Sequence, residues 1–243
     1  GKFFLKNINM KKFIIIIMLC FNLSSCINPD DIKNGSSLKV KEGRNILYSN
    51  QKEIIKVKRT IYILENEVFD GKNKVYLWEG SGKCNQTEGQ SPIFIMRSNS
   101  TLKNVYISNS PEGVHIKGDN VKIDNIVNLD VCEDAISTSI RGNFVGIKIF
   151  NSTFMNCGDK AIQINKGVDV EIVNNKFINC HIPIRVTVAD NVKVENNYAT
   201  GGCKHFINNG PRVKNLNVKN NDASCNNLSY SRDDGSVSDL NYN

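Results

Sequence analysis

Five short segments alternate apolar residues with charged or polar ones and then stop at an asparagine. They are Val121-Lys-Ile-Asp-Asn125, Ile147-Lys-Ile-Phe-Asn151, Val170-Glu-Ile-Val-Asn174, Val192-Lys-Val-Glu-Asn196 and Leu216-Asn-Val-Lys-Asn220. Strict alternation over so few residues predicts half-buried β-strands, because successive side chains in a strand point to opposite faces. With the asparagines as marks, the copies follow one another at 26, 23, 22 and 24 residues. A period in the twenties built from strands, with no helical unit inside it, predicts a stacked β solenoid.

An earlier copy is visible in Thr101-Leu-Lys-Asn104-Val-Tyr-Ile107. Thr60–Leu64, Lys74–Leu77 and Pro92–Ile95 read as opening strands, with a turn at Asp70-Gly71. The valines, isoleucines and leucines of each copy belong to an interior column, and the Lys, Glu and Asp between them face solvent. Asparagine suits the corner, since it tolerates the left-handed backbone of a tight bend and its amide can bond the copy above or below. Trp78 and the tyrosines read as packing or surface residues rather than as sugar platforms.

The N-terminal end changes the compartment. Lys11-Lys12 precedes an apolar run from Phe13 to Phe21, too short for an ordinary membrane-spanning helix, and reads as a secretory signal peptide. The run closes in Leu23-Ser24-Ser25-Cys26, which resembles a bacterial lipobox with cleavage before Cys26 and lipid on its thiol. Residues 1–26 are therefore expected to be a signal, 27–45 a tether, 46–228 the solenoid and 229–243 a flexible tail. The product would be secreted, or held as a lipoprotein on the outer side of a bacterial envelope with a lipid as its sole membrane contact. The formal charge of +7 includes Lys2, Lys6, Lys11 and Lys12, so the exported chain carries about +3, too little to argue for nucleic acid. The length suits one domain, expected to be a monomer.

Export bears on the cysteines. Cys132, Cys157, Cys180, Cys203 and Cys225 recur at 25, 23, 23 and 22 residues, with Cys84 before them. Neighbouring turns of a solenoid lie about 4.8 Å apart, within the distance a disulfide spans. One or two bridges between turns fit this column, and so does a reduced, buried ladder. No CxxC or histidine pairing argues for metal on these thiols.

Another column carries charge. Glu112, Glu133 and Asp159 each lie eight residues beyond a corner asparagine, and Asp134 and Lys160 lie nine beyond theirs. Ala135-Ile136 and Ala161-Ile162 support the register. The count gathers four acids on about three adjacent turns with Lys160 at the edge. Acids so close repel unless a cation sits among them, and Ca2+ is the natural partner of several carboxylates. Splayed, solvated turn residues with Lys160 neutralising one of them is the competing reading.

These segments, with Val68-Phe-Asp-Gly71, Glu88-Gly-Gln-Ser-Pro-Ile-Phe94, Glu112-Gly-Val-His115, Val131-Cys-Glu-Asp-Ala135 and Asp159-Lys-Ala-Ile-Gln163 in this order and spacing, resemble the pectate lyases of polysaccharide lyase family 3. The resemblance runs from about Thr60 to Arg185. It implies an all-β, single-domain right-handed parallel β-helix with turns of about 22–26 residues, and a calcium-dependent lyase cleaving polygalacturonate by β-elimination. It further implies that Glu112, Glu133 and Asp134 hold calcium, Glu112 standing where an Asp is usual, and that Lys160 and Arg185 are catalytic. The family's further Lys falls on Ile182 here. His181 and Lys204 are the nearby candidates for substrate contact in its place. His115 is expected to be a structural hydrogen-bonder, with a catalytic role as the alternative. A β-helix that binds anionic polysaccharide at the cell surface without turnover is the second functional expectation.

Overall fold

A computed structural model describes residues 52–82 and 87–225, and every regular element among them is a β-strand. The signal segment, Cys26, the tether, Cys84 and the tail lie outside the described residues. Seventeen strands pair in parallel, each with the strands one turn before and after it, so the chain is a β solenoid as the repeat predicts.

Each full turn visits three sheets. Sheet I holds β2 (Ile61–Ile63), β4 (Pro92–Met96), β6 (Glu112–Ile116), β8 (Ile136–Thr138), the first halves of β11 (Lys160–Val173) and β13 (Ile182–Glu195), and β15 (Ile207–Val213). Sheet II holds the first halves of β3 (Val68–Trp78), β5 (Thr101–Ser108) and β7 (Lys122–Asn128), then β9 (Phe144–Phe150), the second halves of β11 and β13, and β16 (Leu216–Lys219). Sheet III holds β1 (Ile54–Val57), the second halves of β3, β5 and β7, then β10 (Thr153–Met155), β12 (Lys176–Ile178), β14 (Tyr198–Thr200) and β17 (Asp222–Ala223).

The alternation becomes the core. Leu102, Ile123, Ile149, Ile172 and Val194 lie one above another on sheet II and are wholly buried. On sheet III, Phe154 and Phe177 stack with ring centroids 5.3 Å apart. Each such side chain contributes about 1.5–3 kcal/mol by leaving water.

The sequence reading identifies one corner asparagine per turn, and the structure has three corners. The predicted set, Asn104, Asn125, Asn151, Asn174, Asn196 and Asn220, bends the chain from sheet II to sheet III, with φ between 49° and 58° throughout. Asn99, Asn120, Asn191 and Asn215 do the same between sheets I and II, and Asn109, Asn156 and Asn179 after sheet III. Their amides link the turns: Asn125 donates to Asn104 at 2.8 Å, Asn120 to Asn99 at 3.0 Å and Asn179 to Asn156 at 2.9 Å. The second and third sets are less legible because their flanking residues do not repeat. The early turn also moves. Positive φ falls on Lys72 and Asn73 rather than on Asp70-Gly71, and β3 runs through the bend with a register shift.

Of the two cysteine readings, bridging holds. Cys157 pairs with Cys180 across 4.5 Å between Cα atoms and Cys203 with Cys225 across 4.7 Å; Cys132 is disulfide-bonded as well. Loops of 22 and 23 residues make each of the two bridges worth about 3 kcal/mol in the chain-entropy account.

Candidate active site

The acids converge at the start of sheet I, where the chain enters from the third corner. The Asp159 amide donates to the Glu133 carbonyl, which puts those two residues level on adjacent turns as predicted. Ile136 pairs with Ile162, so Asp134 is level with Lys160. Glu112 departs from the count. Ser110 pairs with Val131, 21 residues on, whereas Val114 pairs with Ile136, 22 residues on. One extra residue in the second turn therefore sets Glu112 opposite Asp134 instead of Glu133.

Close packing holds these turns in place. A Cβ on Gly113 would lie 2.1 Å from the Ala135 carbonyl oxygen, so only glycine lets the backbone that carries Glu112 approach the one that carries Asp134.

Glu112, Glu133, Asp134 and Lys160 are all buried, each at most 4% exposed. Carboxylate oxygens of Glu133, Asp134 and Asp159 lie within 4.8 Å of one another. Burial, the hydrogen bond to Glu112 and the charges of Asp134 and Glu112 push Glu133 up to about 9. A carboxyl–carboxyl bond requires that one partner keep its proton, so Glu112 and Glu133 share one. Burial pushes Asp134 up to about 7 despite the opposing Lys160 ammonium. These are acids whose second and third charges the metal-free protein cannot hold. That is the behaviour of a donor set shaped for a hard divalent cation, and the oxygens present fit calcium.

Lys160 supplies the cluster's own positive charge. Its Nζ lies 3.3 Å from Asp134 Oδ1 and donates to Asp159 as well. Burial opposes its charge, but the bond to Asp159 and the charges of Asp134 and Asp159 outweigh burial and raise its pKa. His115 takes the structural role expected of it, with Nε2 2.6 Å from Glu112 Oε2.

The remaining candidates do not join this cluster. Ile182 is directly across from Lys160 in register and is buried. Arg185 is half-buried on the outer face of sheet I, level with Gln163 on one side and Asn208 on the other. His181 is exposed and lines a shallow depression with Asn156, Asn179 and Gly202. The exposed Lys204 lies one turn further, its amide donating to the His181 carbonyl at 2.8 Å. His181 and Lys204 therefore continue the line of Glu133 and Asp159, not that of Lys160 and Ile182. Glu88 adds its charge to those that raise Glu133, a contribution that no repeat announces because Glu88 precedes β4 outside the regular turns.

Residues 45–231 match the family model described as pectate lyase. The chain is 42% identical over 110 residues to pectate lyase E of Emericella nidulans, covering 43% of this chain and 41% of that protein. It is 36% identical over 115 residues to pectate lyase H of the same organism, covering 46% and 43%. It is 37% identical over 118 residues to a probable pectate lyase F of Aspergillus flavus, covering 47% and 50%. The chain thus spans about two fifths to a half of the length of these relatives. With the family model matched along most of the solenoid, from before the first strand to beyond the last, the chain belongs to the pectate lyase family.

Proposed function

We propose that this protein is an exported, calcium-dependent lyase that cleaves polygalacturonate by β-elimination. The observation that carries the reading is the buried convergence of Glu112, Glu133, Asp134 and Asp159 on Lys160 within a pectate lyase frame. Glu112, Glu133 and Asp134 are the residues that would hold calcium. When bound, calcium neutralises the substrate's uronate carboxylate and so makes the proton α to it easier to remove.

The chain's own groups do the rest. In the metal-free protein Asp134 and Asp159 keep the proton on Lys160. Engaging those carboxylates elsewhere removes what holds that proton, and a neutral Lys160 is then the base that takes the α proton. The electron pair forms the new double bond and the glycosidic oxygen leaves the β carbon. Arg185 stays protonated, so its role is to grip a substrate carboxylate through two parallel hydrogen bonds. His181 and Lys204 lie on the neighbouring turns as contacts for a further sugar. The two disulfides support export, since such bridges persist in oxidising compartments. Lipid on Cys26 completes the reading and rests on the Leu23–Cys26 motif alone.

A second reading, a β-helix that binds anionic polysaccharide without turnover, is favoured by one observation. The residue across from Lys160 is the apolar Ile182, so Lys160 has no neighbouring cation at that position to help it lose its proton. Ultraviolet absorbance of polygalacturonate incubated with the protein separates the two. A rise in calcium that chelator abolishes reports the conjugated double bond of elimination. A flat trace with measurable polymer binding overturns the lyase reading and leaves the second.

A further inference from the structure

The outward faces of sheets I and II treat their cations differently. On sheet II the outward lysines are paired: Lys122 with Asp124 at 2.9 Å, Lys148 with Glu171 at 3.1 Å, Lys193 with Glu195 at 3.1 Å and Lys103 with Asp70 at 3.7 Å. On sheet I, Arg97 and Lys117 stand at the same position of consecutive turns. The Arg97 amide donates to the Ile63 carbonyl and the Lys117 amide to the Met96 carbonyl. Both side chains are exposed, and among the described residues neither has an ion-pair partner. Asp119, in the turn after Lys117, directs its Oδ1 to the Val145 amide at 2.9 Å. Arg185, on the same face, is likewise without a carboxylate partner among the described residues.

Two like charges on adjacent strands repel, and sheet II shows how this chain relieves such charges with acids. Sheet I leaves them unrelieved. Along the strands they lie five residues beyond Glu112 and its neighbours, or about 16 Å at the rise of a parallel strand. A trigalacturonate centred on the acid cluster does not reach them, whereas a polymer does.

We propose that Arg97 and Lys117 form a second anion-binding position for the polyuronate, which holds the carboxylates of the polymer on sheet I away from the acid cluster. The inference rests on the proposed substrate being an anionic uronan. Its sequence signal is slight: Arg97 follows Ile93-Phe-Ile-Met96 and Lys117 follows Val114-His-Ile116, each one residue past the end of its strand.

The test is polygalacturonate binding by the full chain in chelator, comparing R97Q/K117Q with K148Q/K193Q, which removes the same charge from sheet II. The expected result is a three- to ten-fold weaker affinity for R97Q/K117Q, of the order two solvent-exposed ion pairs provide, with K148Q/K193Q within two-fold of the parent. Equal losses in both variants would reduce the effect to net charge and overturn the proposal, as would no loss in either. Product absorbance in calcium is read separately. A parent that binds through the pair but makes no unsaturated product keeps this surface and loses the lyase reading. A parent that makes product and binds equally well as R97Q/K117Q keeps the lyase reading and loses this surface.

Discussion

The ammonium of Lys160 lies 3.3 Å from Asp134 Oδ1, with both side chains buried at the start of sheet I on adjacent turns. Removing the amine while keeping most of the side chain's bulk, as in K160M, is expected to lower the rate of product formation by about 10²–10⁴-fold. Calcium affinity, read by isothermal titration, is expected to stay level or tighten, because the variant no longer presents a competing cation to Asp134 and Asp159. A variant with near-parental turnover would take Lys160 out of the chemistry.

Protonation sets the stability of the metal-free protein. Asp134 and Glu133 titrate near 7 and 9 when folded, above their ordinary values of 3.8 and 4.5. The folded state therefore binds more protons than the unfolded one across that window, and stability falls as pH rises through it. Melting temperature in chelator is expected to drop between pH 5 and pH 9, and E133Q is expected to flatten the upper part of the drop. Calcium, which displaces those protons, is expected to raise the melting temperature more at pH 9 than at pH 6. A melting temperature that climbs through this range in chelator would show the acids already charged without metal.

Ile182 is the residue whose change should add activity. In I182K a second amine would sit across from Lys160 on the next turn, and a like charge at that separation lowers a lysine pKa. Turnover is expected to rise and its pH optimum to move down by comparison with the parent. An unchanged optimum, with calcium affinity intact, would mean that the residue at 182 does not act on Lys160.

Gly113 tests whether the spacing of the turns matters to the metal. G113A puts a methyl group 2.1 Å from the Ala135 carbonyl oxygen, so Glu112 and Asp134 must move apart. Stability is expected to fall by about 1–3 kcal/mol in denaturant titrations, as overpacking does, and calcium affinity with it. Parental affinity in a destabilised G113A would place Glu112 outside the metal shell.

How much of this was legible in the sequence follows from what is local and what is not. Alternation, the asparagine corners after sheet II and the cysteine spacing are local: a strand's side chains change face at every residue, and a left-handed bend selects asparagine wherever it occurs. Those features alone determined the solenoid, its interior column, and the level of Glu133 with Asp159 and of Asp134 with Lys160. The tertiary structure decided what depends on the length of irregular turns. One extra residue between Val131 and Ile136 moved Glu112 across from Asp134, and which cysteines pair was likewise set in space. It also decided the electrostatics: Glu133 keeps its proton because burial and three neighbouring acids converge on it, and Arg97 and Lys117 stand unpaired because sheet I offers them no acid. Charge on a side chain is written in the sequence, but its cost depends on solvent and neighbours, and those exist only once the turns have stacked.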